Sequence, residues 1–348
     1  MYKHFMRPVA CAALFLVALS AHAQPTFSLT DLGTLGGTTS QAYGINSNSQ
    51  VVGLSGTAGG TAQHAFIYSN GTMRDLGTLG GTNSEAHAIN SRGWVVGWSQ
   101  ISGDAALHAF IYSNGSIQDL GTLGGTNSYA YGINSSGQVV GVSDIAGDVA
   151  QHAFIYSNGS MRDLGTLGGT NSAAYGINSI GQVAGTSDIA SPVDGEPGSH
   201  AFIYSNGSMQ DISTSPGVEL IGASAINSAG QVLVSGIPVP PQPHQFPTAY
   251  IYSNGSLQSL GFSGLGSPDE ALAINASGKV VGWFDNTPSR AFLYSNGQVI
   301  DLNDVITPSL PSLLRTATGI NNSGSIVANG IDSGSGAFHA YLLIPSHG

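Results

Sequence analysis

The stretch AYGINSSGQVVGVSDIAGDVAQHAFIYSNGSMRDLGTL (130–167) decides how this chain folds. It divides into four short runs rich in Val, Ile, Tyr and Phe, at about 130–134, 138–143, 152–156 and 160–167, each the size of a β-strand. Ser157-Asn158-Gly159 separates the third run from the fourth. Asn-Gly takes the positive φ angles of a type I′ turn, whose twist matches that of paired strands, so a hairpin is expected here. Asn134-Ser135-Ser136-Gly137 makes a slightly longer hairpin loop between the first two runs.

The same unit recurs along the chain. AYGIN at 42–46 has counterparts at 86–90, 130–134, 174–178, 223–227, 271–275 and 317–321, whose closing asparagines are 44, 44, 44, 49, 48 and 46 residues apart. HAFIYSNG stands at 64–71, 108–115, 152–159 and 200–207, then drifts to TAYIYSNG (248–255), RAFLYSNG (290–297) and HAYLLIPS (339–346). Four strands in 44–49 residues is the unit of a β-propeller blade. The last copy ends before its fourth strand, while FSLTDLGTL (27–35) matches a fourth strand and precedes the first full unit. The expected fold is therefore all-β: a seven-bladed β-propeller of four-stranded antiparallel blades, the last blade closed by the N-terminal strand. An open solenoid would not need the orphan strand and would require end caps, which the sequence lacks. Little polar alternation is visible, so both faces of the strands are expected to be buried.

Composition fits this architecture. Of 348 residues, 50 are Gly and 8% are charged, against about 25% charged in an average soluble domain. With four Glu and two Lys the chain lacks material for long exposed helices, and 41% hydrophobic residues argue against charge-driven disorder. The glycines punctuate turns at the same offset in each copy. A formal charge of −11 leaves no basic face for nucleic acid.

Residues 1–23 read as a signal peptide. Lys3 and Arg7 precede the apolar run 9–19, and Ala21-His22-Ala23 offers a cleavage site before Gln24. The run is too short to span a bilayer as a helix, although a retained anchor is the alternative. Cleavage would leave a single propeller domain, 24–348, with six basic against 19 acidic residues, a charge of −13, and no cysteine. An exported chain without disulfides suits a bacterial secreted, periplasmic or extracellular protein. No membrane span is expected in the mature chain, and a monomer is expected.

HAFIYSNG, DLGTLGG and AYGINSSGQVVG together resemble the HAF-repeat family of bacterial extracellular repeat proteins, over essentially the whole mature chain. The match is close in the first four copies and weaker from 248 onward, where the His or the DLGTLGG is lost. The resemblance implies an exported repeat protein and brings no established activity or catalytic residues.

Several repeated residue types invite a chemical reading. His64, His108, His152, His200 and His339 suggest a metal ring, but one per blade is too widely spaced to share an ion, and Thr248 and Arg290 fill the slot in two blades. Each is expected instead to bond polar groups beside it. Asp31, Asp75, Asp119, Asp163, Asp211 and Asp301 recur likewise and are expected to accept N–H bonds from the loop that follows. That glycine-rich loop lacks the Lys-Ser/Thr ending of a phosphate-binding loop. Asn-Gly-Ser/Thr at Asn70, Asn114, Asn158, Asn206 and Asn254 is explained by turns without invoking glycosylation. Trp94, Trp98 and Trp283 depart from the repeat; they are either packing between blades or platforms for sugars.

The connections between second and third strands vary most, and they share a rim with the fourth-to-first connections. Asp104, Asp144, Asp148, Asp188, Asp194 and Glu196 lie there and are the candidate ligand-binding residues. Their oxygens would suit Ca²⁺, but a solvated acidic rim is the simpler reading, and no cofactor is expected. The functional expectation is a non-enzymatic binding scaffold that uses the loop-rich rim to engage a surface glycan, a peptide or an envelope protein. A glycan hydrolase and a purely structural repeat are the alternatives. For the hydrolase, Glu85, Glu196, Glu219 and Glu270 are the non-repeated glutamates, and none sits in a catalytic motif.

Overall fold

A computed structural model describes residues 24–190, 198–215, 217–239, 247–261, 270–284, 288–307 and 313–346. The expected signal peptide, Asp194 and Glu196 lie outside these residues. The described chain forms seven separate antiparallel sheets, six of four strands and one of five. In the third blade the strands are Gly124–Ile133, Val139–Ile145, Gln151–Ser157 and Ser160–Asp163, paired in chain order. Asn158 and Gly159 have φ values of 55° and 81°, as the type I′ turn requires.

Two boundaries differ from the sequence reading. The first strand starts at Gly124, because the Gly-Gly-Thr-Asn segment joins the ladder, with Gly124 opposite Ile145. The fourth strand ends at Asp163, where the aspartate turns the chain into the DLGTLGG connection. Burial on both faces holds for the second strand but not for the fourth, which is mostly exposed at the outer edge. The inner strand alternates, with its second half partly open toward the central axis.

Seven apolar clusters hold the ring, one at each interface between neighbouring blades. Val52, Ala65, Ile67 and Leu76 of blade 1, for example, pack on Ala86, Ile89, Val95 and Phe110 of blade 2. Blades 7 and 1 meet through Val327, Ala340 and Leu342 against Ala42, Val51 and Phe66, so the circle is complete. Close approach explains one repeated glycine. A Cβ at Gly141, in the second strand, would sit 1.9 Å from the Tyr129 carbonyl oxygen.

Closure follows the expected route. Phe27–Asp31 pairs antiparallel with Phe338–Pro345, the third strand of blade 7, with Leu29 opposite Leu343. Phe27, 2% exposed, is buried in the cluster between blades 6 and 7, while Leu32 enters the one between 7 and 1.

A second closure runs around the axis. Each AYGIN-type asparagine donates its side-chain N–H to the backbone carbonyl of the corresponding asparagine in the next blade: Asn46 to Asn90 (3.0 Å), Asn90 to Asn134 (3.0 Å), Asn134 to Asn178 (3.2 Å) and Asn178 to Asn227 (3.4 Å). The series continues through Asn275 and Asn321 and returns from Asn321 to Asn46 at 3.1 Å. Every member is buried, and its Oδ1 accepts backbone N–H groups from its own hairpin loop, so one side chain satisfies the turn and the neighbouring blade together.

Candidate functional site

The repeated histidines and aspartates find each other. Nδ1 of His64, His108, His152 and His200 lies 2.7 Å from Oδ2 of Asp75, Asp119, Asp163 and Asp211 respectively, joining the start of the third strand to the end of the fourth. The last pair, His339 with Asp31 at 2.7 Å, bridges the chain closure. The carboxylate partner makes Nδ1 the protonated nitrogen. The other carboxylate oxygen accepts an N–H from the following loop, as Asp163 does from Gly165 at 2.6 Å. Blade 6 replaces the pair with an Arg290–Asp301 ion pair, and blade 5 changes both members, to Thr248 and Ser259. These residues latch strands within separate blades. Among the described residues no three His, Cys, Asp or Glu side chains come together as a metal site.

The four described acidic rim residues are likewise engaged internally. Asp104 accepts from the Thr82 N–H and hydroxyl, both at 2.7 Å, and Asp148 from those of Thr126, both at 2.6 Å. Asp144 accepts from the Asn127 backbone and side chain and from Gln151. Asp188 accepts from Asn171 and Ser199. Asp144 and Asp148 are brought together around Gly125 in blade 3; among the described residues Asp104 and Asp188 have no other of these carboxylates beside them in blades 2 and 4. Asp104 and Asp148 occupy left-handed positions (φ 55° each), and their carboxylates clasp the start of the inner strand.

These contacts predict an acid response. The threonine hydroxyl, then its backbone N–H, holds Asp104 and Asp148 below the ordinary carboxylate range. At Asp211 burial acts upward, but Ser213 and then His200 outweigh it, and the net shift is down. A carboxyl depressed in the folded state takes its proton later than in the unfolded chain. Its stabilisation is therefore complete above the unfolded value and is lost as pH falls toward the folded one. Melting temperature is expected to hold down to about pH 4.5 and to decline below about pH 4. Calorimetric scans across that range check the sign; a melt that rises on acidification contradicts it.

What lines the central channel is the part of the repeat that varies. The second residue of each AYGIN tract points into it: Tyr43, His87, Tyr131, Tyr175, Ser224, Leu272 and Thr318, one from each blade. The cavity measures about 670 Å³, within the range of small-molecule sites, and among the described residues no Asp, Glu, Lys or Arg lines it. Phe338, at the loop-rich end of blade 7, carries the lining toward that rim. The first four rings form a continuous arc, with centroids 5.3, 5.2 and 5.4 Å apart from Tyr43 through His87 and Tyr131 to Tyr175. Beyond Tyr175 the arc stops.

The phenols of this arc stay protonated. Burial, then the Glu85 carboxylate, pushes Tyr43 far above its usual value; burial, then neighbouring Tyr175, Tyr129 and Glu85, lifts Tyr131 to about 12; burial also raises Tyr175. They offer neutral O–H donors at any ordinary pH. Glu85 Oε1 lies 3.1 Å from His87 Nε2 but not in line for a hydrogen bond, so that buried nitrogen has no such partner among the described residues.

The three tryptophans separate. Trp94 packs in the cluster between blades 2 and 3 with Arg92 over its ring, and Trp98 meets Tyr129 edge-on beside a side cleft. Trp283 lines the channel. The channel arc was hidden in the sequence because tyrosine reads as one more apolar strand residue. The signal available was the slot after the invariable alanine of each tract, which changes from blade to blade.

Seven sheets around a lined channel define the chain as a β-propeller. No protein-family profile matches it, and comparison with curated proteins finds no match. Among solved structures it is similar to the β-propeller domain of the trilobed protease from Pyrococcus furiosus, described as having an open velcro topology, with a TM-score of 0.59 and 9% identity over 91% of this chain and 93% of that one. It is also similar to the acylaminoacyl peptidase from Pyrococcus horikoshii, with a TM-score of 0.55 and 10% identity, covering 89% of this chain and 52% of that one. This chain thus spans about half the length of the peptidase. At such identity the likeness is one of fold alone.

Proposed function

We propose that this protein is an exported, non-catalytic binding scaffold of the HAF-repeat kind, which receives its ligand at the loop-rich rim where the channel opens. One observation carries the proposal: the polar residues that repeat are engaged in internal bonds, whereas the residues that differ between blades line the channel. A scaffold held together by its repeats and differentiated at one cavity is arranged for recognition. The His–Asp pairs are latches within blades, with both carboxylate oxygens engaged, which favours binding over hydrolysis. The candidate rim residues Asp104, Asp144, Asp148 and Asp188 then act by shaping the rim around the inner strands.

The test is to apply the secreted protein to glycan and peptide arrays and to a glycosidase and peptidase panel. The N-terminus of the secreted product is read by mass spectrometry. Binding without turnover, with a chain beginning at Gln24, is the expected result. Turnover overturns the non-catalytic reading, and a product that keeps residues 1–23 overturns cleavage.

A further inference from the structure

The arc of rings is incomplete, and its gap has the shape of a site. Tyr43, His87, Tyr131 and Tyr175 succeed one another at a spacing of 5.2–5.4 Å, one ring per blade. The next slot holds Ser224. Tyr175 is tilted 32° from Tyr131, and it is 40% exposed, unusually open for a large side chain in this protein. Gly222 lines the channel beside this slot and lets Thr186 approach closely, since a Cβ there would come within 2.9 Å of the Thr186 hydroxyl. Trp283, from the next blade, also lines the cavity. A six-membered ring entering the Ser224 slot would extend this arc beyond Tyr175, beside lining hydroxyl groups.

We infer that this gap binds one ring of a neutral saccharide. The inference rests on the binding-scaffold proposal and names its ligand class. The lining supplies what a pyranose needs: an aromatic surface for its C–H face and O–H groups for its rim. Thr186, Ser235 and Thr316 contribute hydroxyls without a hydrogen-bond partner among the described residues. The absence of Lys and Arg among the described lining residues disfavours anionic sugars and nucleotides. Among the described residues no Asp or Glu lines the channel, and Glu85 is only 17% exposed beside His87, which disfavours a cation there. A side cleft of about 220 Å³ shares Tyr131, Tyr175 and Thr186 with the channel and reaches Asp188, giving a chain attached to the bound ring a route toward the rim.

Ser224→Tyr is the decisive variant. It converts ASAIN to AYAIN, placing in blade 5 the residue that blades 1, 3 and 4 already carry in the same slot, so the fold accepts it while the gap is filled. The Ser224 hydroxyl bond to the Ala271 carbonyl (3.0 Å) is lost, and Ser224→Ala controls for that. The mature protein is titrated by calorimetry, and by tryptophan fluorescence, with hexasaccharides of β-1,4-glucose, α-1,4-glucose and β-1,4-N-acetylglucosamine. Oligogalacturonate and a proline decapeptide serve as charged and peptidic comparators.

The expected result is binding of at least one neutral hexasaccharide. Ser224→Tyr and Tyr175→Ala should each weaken it by about tenfold or more, Ser224→Ala should leave it intact, and Ser224→Tyr should melt as the parent does. No binding of any neutral hexasaccharide, preference for either comparator, or unaltered binding by Ser224→Tyr overturns the site. If another array ligand still binds, only the saccharide site falls; if nothing binds, the scaffold reading falls with it. Turnover of a hexasaccharide that Ser224→Tyr abolishes keeps the channel site and removes the non-catalytic reading.

Discussion

Removal of residues 24–36 is expected to lower the melting temperature by about 10 °C or more and to make the protein prone to self-association. The segment supplies the outer strand of blade 7, the Asp31 partner of His339, and two buried side chains, Phe27 and Leu32, that reach different inter-blade clusters. Burying a phenylalanine is worth about 3–5 kcal/mol against alanine, so Phe27→Ala alone should account for much of the loss. Deletion further exposes the free edge of Phe338–Pro345, a row of unpaired N–H and C=O groups open to another chain. Differential scanning calorimetry with size-exclusion chromatography measures both effects. An unchanged melt would mean that the strand is an ornament and not a closure.

The second large effect is expected at the axis. Asn134→Ala removes donors to the Asn178 carbonyl and the Gln138 Oε1, and removes the acceptor for the backbone N–H groups of Ser136 and Gln138. With net values of about 0.5–1.5 kcal/mol per bond and a penalty for polar groups left buried, the loss should be about 2–4 kcal/mol by denaturant titration. Asn134→Asp is the sharper probe. It keeps the acceptor and the shape, but sets a carboxylate against two acceptor oxygens in a site only 4% exposed. It should destabilise at neutral pH at least as much as alanine. A neutral Asn134→Asp would show that the amide is turned the other way and that the ring of donors does not exist.

The architecture could be read from the chain because its signals are local and repeated. Asn158-Gly159 specifies its own turn, and FSLTDLGTL declares itself a fourth strand by likeness to its copies. Strand ends were less legible where glycine was involved. Gly124-Gly125-Thr126-Asn127 looks like loop in composition, yet its backbone completes the ladder opposite Ile145. The site was the least legible part, because its determinants join residues far apart in sequence. Asp104 finds Thr82 across 22 residues, and Asn134 finds Asn178 across 44. The direction of Tyr131 depends on a bulge between Ala130 and Gly132, which no pattern of apolar residues discloses. Charge counting located an acidic rim, but a count cannot tell a carboxylate awaiting a ligand from one already holding a neighbour's amide.

The asparagine ring has a direction and no beginning. Each member gives to the next and receives from the one before, and the bond from Asn321 to Asn46 is like the other six. The covalent chain has a seam between its first and last blades, but that seam lies only at the periphery, in the outer strand. Nothing in residues 24–36 belongs to the axial ring. The molecule is therefore sealed twice by independent means, and damage to the outer seal should leave it a hoop with a loose stave, frayed at the circumference while the hub still holds.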